Sequence, residues 1–459
     1  MRKWLRRCWL MVSLPCALNL ILFLAWITAV MESEGVTGFF RVLPPLLAVV
    51  LVVNILRLLV LPAMDTGRAR TGLRVRMMLG GRRLVFCGLY TMAVQIWVFL
   101  HIYIRYKGSS SWGTAMLAAN GVLACVGCLA LLGAGVLRMI CTSRRLGIVR
   151  RLVMVCTMWI PVVNLAVLLY ACRLVSEEYD HEQEKAALRD LRVDSDLCRT
   201  RYPLVMVHGI GFRDLRYFNY WGRIPRELKR NGASVYYGNQ EALGTIHYNA
   251  GDIRERILQV CRETGCGKVN IIAHSKGGLD ARYAISKLGM APYVASLTTM
   301  NTPHRGCRFV DYACGLPEGL YRLVASCFDR TFLRLGDRNP DFYTATHQFS
   351  TWESERFNQE VPDAPEVFYQ SYTSRMKHPW SHLLLAVPYC MIRPLEGDND
   401  GLVSVESARW GEFRGIFSNT HTRGISHGDI IDLKREDYKG FDVTETYVQI
   451  VAELKERGF

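Results

Sequence analysis

The chain has 459 residues, a formal net charge of +15 and a mean hydropathy of +0.10, which is high for a soluble protein. Its basicity is confined to residues 1–173, which hold 20 Lys and Arg against 3 Asp and Glu, whereas the rest of the chain holds 36 against 38. Because the basic residues lie between hydrophobic runs and cover no globular face, a nucleic-acid partner is not expected.

Five hydrophobic runs predict an all-α transmembrane region over residues 1–173. The runs are 8–30, 42–64, 85–104, 115–137 and 152–172. Each is long enough to cross about 30 Å of hydrocarbon. Prolines interrupt the second and the fifth run, and Arg57 in the second is expected to snorkel to the interface. The first run is longer than the core of a typical signal peptide and other runs follow it, so we expect an uncleaved anchor.

The distribution of basic residues predicts an orientation in the membrane. The intervening loops carry only Arg41, Arg105 and Lys107. Most of the others fall at the start of the chain and in the loops after the second and fourth runs: Arg2, Lys3, Arg6, Arg7, Arg68, Arg70, Arg74, Arg76, Arg82, Arg83, Arg144, Arg145, Arg150 and Arg151. With five spans, all these segments lie on one side. The positive-inside rule then predicts a cytoplasmic N-terminus and an extracytoplasmic chain after residue 173. If one weak run does not cross, the rest of the chain lies in the cytoplasm instead.

The fifteen cysteines do not settle the compartment. Eight of them lie at or before Cys172, where burial among apolar side chains accounts for them. None of the other seven forms a C-x-x-C pair of the kind that binds metals. Two close pairs, Cys261 with Cys266 and Cys307 with Cys314, are either local disulfides or buried thiols.

Beyond the hydrophobic runs, the sequence predicts a linker and one α/β domain. Residues 174–200 are charged and nearly free of Gly and Pro, which predicts a helical linker. From 201 to 459, strand-like and helix-like runs alternate, which is typical of a mostly parallel sheet with helices on both faces. The strand-like runs are 203–207, 234–237, 268–273, 294–300, 367–372 and 390–393. The helix-like runs are 221–230, 249–264, 277–288 and 447–457.

The most informative motif is Ala273-His274-Ser275-Lys276-Gly277, which follows an apolar strand and precedes a helix-compatible run. Small residues two positions from a serine, at a strand-to-helix turn, are typical of the nucleophile elbow of α/β-hydrolases. Such a turn is so tight that the serine adopts strained backbone angles, and bulky flanking residues would clash. We therefore predict Ser275 as a catalytic nucleophile.

A second motif, Val207-His208-Gly209-Ile210, follows the first predicted strand of the domain. In an α/β-hydrolase, a loop at this place supplies one N–H of the oxyanion hole, and the residue after the nucleophile supplies the other. We assign the two donors to the backbone N–H groups of Ile210 and Lys276. Backbone donors suit this task because they are fixed before the oxyanion develops.

The acid and the base are expected after the nucleophile, in the order Ser, Asp, His. Two loops late in the chain offer them. The segment 396–403 contains Asp400, and Ser426-His427-Gly428-Asp429 contains His427. We predict Asp400 as the acid and His427 as the base, with Asp398 as the alternative acid.

Four other histidines compete with His427. His208 and His274 are built into the two turns described above, so we expect them to have supporting or structural roles. His304 follows its strand too early in the chain to be the base. His421 lies near His427 but lacks the flanking Gly and Asp.

At these motifs the chain resembles the bacterial triacylglycerol lipases of the α/β-hydrolase superfamily. The matching strings are 202–209, 268–283, 302–306, 399–404 and 427–429, and they keep the family's order over about residues 201–432. The resemblance implies a triad of Ser275, Asp400 and His427 that hydrolyses long-chain acyl esters and needs no cofactor for the chemistry.

The resemblance also implies a structural Ca²⁺ on Asp429, because in such lipases the aspartate two residues after the base is a ligand. The partner aspartate of the family lies upstream of the catalytic acid, where residues 370–394 of this chain hold no carboxylate. The chain departs from the family in two further places. Ala273 replaces the first glycine of the elbow, and Lys276 stands where the residue is often uncharged. The resemblance does not extend to residues 1–173.

An insertion around residues 308–365 is expected to contain a lid over the site, because residues 316–332 are amphipathic. Helices packed on the core are the alternative interpretation. Taken together, the sequence predicts a membrane-anchored serine ester hydrolase, most simply a lipase, whose partners are a lipid or acyl-ester substrate and the membrane. An acyltransferase with the same triad, and a membrane scaffold or transporter with a non-catalytic hydrolase-like domain, are the alternatives.

Overall fold

The computed structural model describes residues 2–35, 42–64, 69–106, 113–192, 196–211, 219–420, 423–437 and 440–459. The chain forms two compact units, Met1–Asp190 and Leu191–Phe459. The first unit is helical, and the second is built around a parallel sheet. The boundary between them lies inside the predicted linker.

The described part of the first unit consists of seven helices. They are α1 (Arg2–Leu18), α2 (Leu20–Ser33), α3 (Leu43–Val60), α4 (Leu73–Tyr106), α5 (Thr114–Thr142), α6 (Gly147–Cys156) and α7 (Pro161–Leu191). The last of them continues without a break into the charged residues that the sequence predicts as a helical linker.

Three of these helices are long and apolar enough to cross a membrane, in the segments Leu43–Val60, Leu73–His101 and Thr114–Thr142. A fourth candidate arises if Cys8–Leu18 and Leu20–Ser33, which are bent by 92° relative to each other, form one span. These segments coincide with the first four predicted runs. The fifth run, 152–172, is divided between α6 and α7. The count of five crossings therefore stays a prediction, whereas the apolar helices themselves are compatible with membrane association.

The second unit has a six-stranded parallel sheet in the order β2-β1-β3-β4-β5-β6. The strands are β1 (Leu204–Val207), β2 (Val235–Tyr237), β3 (Val269–His274), β4 (Val294–Met300), β5 (Phe368–Ser374) and β6 (Glu412–Phe417). Around it lie α8 (Ile224–Arg230), α9 (Ile246–Thr264), α10 (Lys276–Lys287), α11 (Arg308–Cys314), α12 (Glu318–Arg334), α13 (Phe342–His347), α14 (Thr351–Glu360), α15 (Ala386–Glu396), α16 (Val405–Ala408) and α17 (Val443–Glu456). The predicted fold class, an α/β-hydrolase domain after an all-α region, is confirmed.

The sheet is covered on both faces because alternate residues of each strand point in opposite directions. On β1, Leu204 and Met206 join a core with α8 and α17, whereas Val205 and Val207 join a second core with α9 and α10. All four side chains are fully buried. A strand that is apolar on both faces is typical of a parallel sheet.

One predicted strand is wrong. Residues 390–393 belong to α15, and the last strand of the sheet is β6. A four-residue apolar run has no periodicity that separates a strand from a helix segment. The sequence does not reveal β6, because this edge strand has alternating exposed and half-buried residues and contains Gly415.

Two further expectations concern the insertion and the cysteines. Residues 308–365 contain the helices α11 to α14, and their function as a lid stays a prediction. All fifteen cysteines lie in the described ranges and are free thiols. The pairs Cys261 with Cys266 and Cys307 with Cys314 are therefore not disulfides.

Candidate active site

Ser275 occupies a strained turn between β3 and α10. β3 ends at His274 and α10 begins at Lys276, so a single residue makes the reversal from strand to helix. Its backbone angles are φ 52° and ψ −130°, a conformation that costs a non-glycine residue of order 1–3 kcal/mol. The Ser275 N–H donates to the carbonyl of Met300 over 3.0 Å. The turn is therefore tied to the neighbouring strand β4.

The small residues of the motif are required by close backbone approaches. A Cβ atom on Gly277 would clash with the His208 carbonyl oxygen, and one on Gly278 would clash with the Thr302 side chain. The first turn of α10 is thus wedged between the ends of β1 and β4. Its position fixes Ser275 at the carboxyl edge of the sheet, which is where α/β folds place their ligands.

Asp400 and His427 form a buried hydrogen-bonded pair. His427 Nδ1 lies 2.7 Å from Asp400 Oδ2. The other carboxylate oxygen of Asp400 accepts from the backbone N–H groups of Leu402 and Val403, each over 2.8 Å. The His427 backbone N–H donates to the Asp400 carbonyl over 2.9 Å. The acid therefore has a fixed orientation, and its loop holds the imidazole by both its ring and its backbone.

The alternative acid, Asp398, is engaged elsewhere. Its carboxylate pairs with Arg375 at 2.7 Å and also contacts Arg393. The hydrogen bond from Arg375 lowers the pKa of Asp398. Asp398 is also one-third exposed, whereas Asp400 is fully buried. The geometry favours Asp400 as the partner of His427.

The competing histidines have other surroundings. His304 Nε2 lies 3.0 Å from Thr299 Oγ1, and its ring stacks on Trp410 with centroids 5.2 Å apart. His208 lies within hydrogen-bond distance of the Gly209 and Gln240 carbonyls. His421 lies outside the described residues. None of these contacts brings His304 or His208 to Asp400.

His274 is a neighbour of the predicted base, His427. The sequence predicts only that His274 lies in the turn before Ser275. Its ring centroid lies 4.5 Å from that of His427, and its Nδ1 lies 2.6 Å from the hydroxyl of Tyr220. Burial, together with the nearby His427, lowers the pKa of His274 well below its ordinary value. A neutral His274 does not repel a proton that His427 accepts. Tyr220 was not predicted, because no motif surrounds it.

The segments that carry the two assigned oxyanion donors adjoin the nucleophile. A Cβ atom on Gly209 would come within 2.9 Å of Ser275 Cβ, so the loop that carries Ile210 passes directly against the serine. Lys276 is the first residue of α10, and the first N–H groups of a helix have no intrahelical acceptor. The Gly211 N–H donates to the Ala242 carbonyl over 2.9 Å, which anchors the far end of the loop.

The Lys276 side chain is buried in an ion pair within α10. Its Nζ lies 2.5 Å from Asp280 Oδ1, one helical turn further along α10, and both side chains are almost fully buried. Asn249 Nδ2 donates to the other Asp280 oxygen over 3.3 Å. Burial raises the pKa of Asp280 to about 6 and lowers the pKa of Lys276. Lys276, which departs from the family's often uncharged residue, thus stabilises the first turn of α10 through this ion pair.

The surroundings of Asp429 do not fit a calcium ion. Its carboxylate lies 3.4 Å from Lys434 Nζ and accepts from the Ser426 N–H over 3.1 Å. A cation at this position would meet an ammonium group that already neutralises the carboxylate. Within the part of the chain that the structure describes, Asp429 belongs to no group of three or more carboxylate, imidazole or thiol ligands. We therefore assign no metal to this site.

A solvent-exposed apolar surface adjoins the loop of Asp400. Trp380, Leu383, Leu384 and Val387 lie within eight residues of each other, and each exposes at least 70% of its surface. We refer to these four residues as the Trp380 patch. Leu385, in the middle of this segment, lies against Gly401, the residue after Asp400. Exposed apolar side chains in such density mark a surface that meets protein or lipid.

Comparison with known proteins yields the following relatives. The family described as α/β hydrolase fold matches residues 202–376. Triacylglycerol lipase 2 of Saccharomyces cerevisiae is 28% identical over 312 residues, which are 62% of this chain and 84% of that protein. A triacylglycerol lipase of Pseudarthrobacter phenanthrenivorans is 34% identical over 179 residues, 36% of this chain and 55% of its own length. One from Pseudomonas fragi is 26% identical over 298 residues, 57% of this chain and 99% of its own length.

The chain therefore spans most of the yeast relative and little more than half of the Pseudarthrobacter relative. Among solved structures, the mature form of the Bacillus licheniformis lipase BlEst2 superposes with a TM-score of 0.41 and 20% identity. The superposition covers 55% of this chain and 91% of that chain.

Proposed function

We propose that this chain, which belongs to a lipase family within the α/β-hydrolase superfamily, is a membrane-anchored serine hydrolase that cleaves acyl esters of lipids. Ser275 is the nucleophile, His427 the base and Asp400 the acid. The observation that carries the proposal is the buried hydrogen bond between His427 and Asp400, at the same edge of the sheet as the strained turn of Ser275.

In the proposed reaction, His427 accepts the proton of the Ser275 hydroxyl as Oγ attacks the ester carbonyl. The charge that develops on the carbonyl oxygen is stabilised by the backbone N–H groups of Ile210 and Lys276. His427 then donates its proton to the leaving alcohol, which leaves an acyl-enzyme on Ser275. A water molecule, deprotonated by His427, releases the fatty acid. Asp400 holds the imidazole so that Nε2 faces the serine throughout.

Two observations support a lipid substrate over a small polar ester. The relatives above are named as triacylglycerol lipases. The Trp380 patch offers an apolar surface beside the acid loop, which suits acyl chains presented at a lipid surface. The apolar helices of the first unit support anchoring in a membrane.

A fluorophosphonate probe tests the proposed nucleophile. The full-length protein in detergent is treated with the probe, and the labelled peptide is identified by mass spectrometry. We expect one labelled residue, Ser275, and no labelling in Ser275→Ala. Labelling that persists in Ser275→Ala, or a wild-type protein that does not react, would remove the assignment. Ser350→Ala, at a buried serine that caps α14, is the matched control and should label as the wild type does.

A further inference from the structure

The segments that flank the fifth predicted run meet at Glu178. This buried carboxylate accepts from the Ser143 hydroxyl over 2.7 Å and from the backbone N–H groups of Arg144 and Arg145 over 3.1 to 3.2 Å. It also pairs with Arg74 at 2.6 Å. Ser143 directly follows α5, whereas Glu178 lies in α7. The chain between them therefore begins and ends at the same place in the structure.

A single membrane crossing by residues 152–172 is incompatible with these contacts. The run has the length of a helix that spans about 30 Å, and a crossing would leave its flanking residues on opposite sides of the membrane. Residues 143–145 and Glu178 are instead within hydrogen-bond distance. Further contacts at the same end join Arg82 to Ser176 and Arg145 to Glu177.

The geometry between these ends is that of a helical hairpin with unequal arms. α6 has ten residues and is about 15 Å long, and the arm of α7 from Pro161 to Glu178 is about 27 Å long, so neither arm exceeds a hydrocarbon thickness of about 30 Å. The turn at residues 157–160 precedes Pro161, the first residue of α7. Trp159 and Val162, on either side of this break, are each 81% exposed. Such residues at the tip need an apolar environment, which the membrane interior provides.

The charged residues of α6 point back to the open end of the hairpin. Arg150 donates to the Arg145 carbonyl over 2.7 Å, and Arg151 donates to the Ser143 carbonyl over 2.6 Å. Both guanidinium groups therefore stay at the membrane interface, where a long basic side chain is expected to remain. No charged residue occurs between 152 and 172.

The hairpin packs along the beginning of α4. Met154 of α6 and Leu168 and Val175 of α7 belong to the same buried cluster as Val75 and Leu79 of α4. The start of α4 also meets the end of α5, because Arg74 donates to the Thr142 carbonyl over 2.7 Å. The open end of the hairpin, the start of α4 and the end of α5 thus lie at one membrane face.

We propose that residues 143–178 form a re-entrant hairpin that does not cross the membrane, so that the catalytic unit follows on the side of the Arg74 and Arg144 loops. By the positive-inside rule this side is the cytoplasm. The sidedness is opposite to the one that five crossings predict. The substrates of the catalytic unit are then acyl esters from the cytoplasmic leaflet or the cytoplasm. This statement about the substrate rests on the proposed function.

Two epitope tags on the full-length protein in intact cells test this sidedness. One tag follows Phe459, and the other is inserted between α4 and α5, on the far side of the α4 crossing. Added protease should remove the tag between α4 and α5 and leave the C-terminal tag intact until the cells are permeabilised. Five crossings predict that both tags are cleaved in intact cells. That result, or any in which the two tags behave alike, would overturn the hairpin.

A membrane-impermeant fluorophosphonate separates this inference from the proposed function. We expect Ser275 to be labelled only after permeabilisation, and labelling in intact cells would contradict the cytoplasmic site. If Ser275 is not labelled even after permeabilisation, the proposed function fails, whereas the protease result still decides the topology.

Discussion

At the scale of single residues, the proposed site depends on which histidine is the base. His427→Ala should lower kcat/KM by at least about 10³-fold, because His427 is the one imidazole bonded to Asp400 within the described ranges of the chain. The loss is compared per folded molecule, with the folded fraction measured by circular dichroism on the same protein.

His304→Ala is the matched control for His427. It removes the contact with Thr299 and the stacking on Trp410 in a fully buried position, so it should lower the free energy of unfolding by about 2–4 kcal/mol. Turnover per folded molecule should stay within a few-fold of the wild type. A stable but inactive His304→Ala, together with an active His427→Ala, would transfer the base to His304.

Asparagine substitutions likewise distinguish the two candidate acids, Asp400 and Asp398. Asp400→Asn should reduce kcat by roughly 10²–10⁴-fold, because an amide in place of the carboxylate favours the wrong tautomer of His427. Asp398→Asn loses only a partly exposed pairing with Arg375 and Arg393 and should keep most of the activity. Comparable losses in the two variants, measured with one ester under identical conditions, would leave His427 without an assigned partner.

At the scale of elements, α10 rests on the buried pair of Lys276 and Asp280. Asp280→Asn leaves a buried ammonium without its counter-charge and should lower the free energy of unfolding by about 3–5 kcal/mol. Glu353→Gln, which breaks an exposed pair with Arg356, should change it by less than about 1 kcal/mol. Denaturant unfolding of the catalytic unit in the full-length protein measures the free energy of unfolding of both variants. Equal losses in the two variants would show that the ion pair of Lys276 does not stabilise α10.

The Trp380 patch should contribute to binding of a lipid surface and not to cleavage of the ester bond. Serine at Trp380, Leu383, Leu384 and Val387 should raise the apparent KM for esters in vesicles by about tenfold or more, given the apolar area removed. Hydrolysis of a short soluble ester should be unchanged. Tyr293→Ser, at an exposed tyrosine directly before β4 and therefore at the amino ends of the strands, is the control. A parallel loss on the soluble ester would show that the patch supports the fold instead.

The elements that sequence reasoning predicts best are those with strong local constraints. β1 is a continuous apolar run, β3 and β4 are fully buried strands with a majority of apolar residues, and the elbow of Ser275 needs small residues at fixed spacing, so the sequence predicts all of them. α15 and β6 were missed because a short apolar run and a half-exposed edge strand carry little periodicity. Tyr220 was missed for another reason: its contact with His274 is made across 54 residues of sequence.

At the scale of the whole molecule, the same difference between local and long-range information decides the topology. The hydropathy of residues 152–172 matches a crossing as well as a hairpin, since both need an apolar run. Long-range contacts tell them apart, above all that of Glu178 with residues 143–145, more than thirty positions earlier. In the proposed hairpin, this carboxylate in α7 holds the two flanking segments at one membrane face, which places the catalytic unit on the cytoplasmic side.

The hydrolysis of a long-chain acyl ester by the purified full-length protein and by Ser275→Ala, assayed side by side in the same detergent, tests the central claim most directly. Released fatty acid is the quantity to measure. The wild type should turn over steadily, and Ser275→Ala should fall by at least about 10³-fold with an unchanged Tm. If the wild type releases no fatty acid, or if folded Ser275→Ala keeps more than a few per cent of its rate, the protein is not a serine hydrolase acting through this residue.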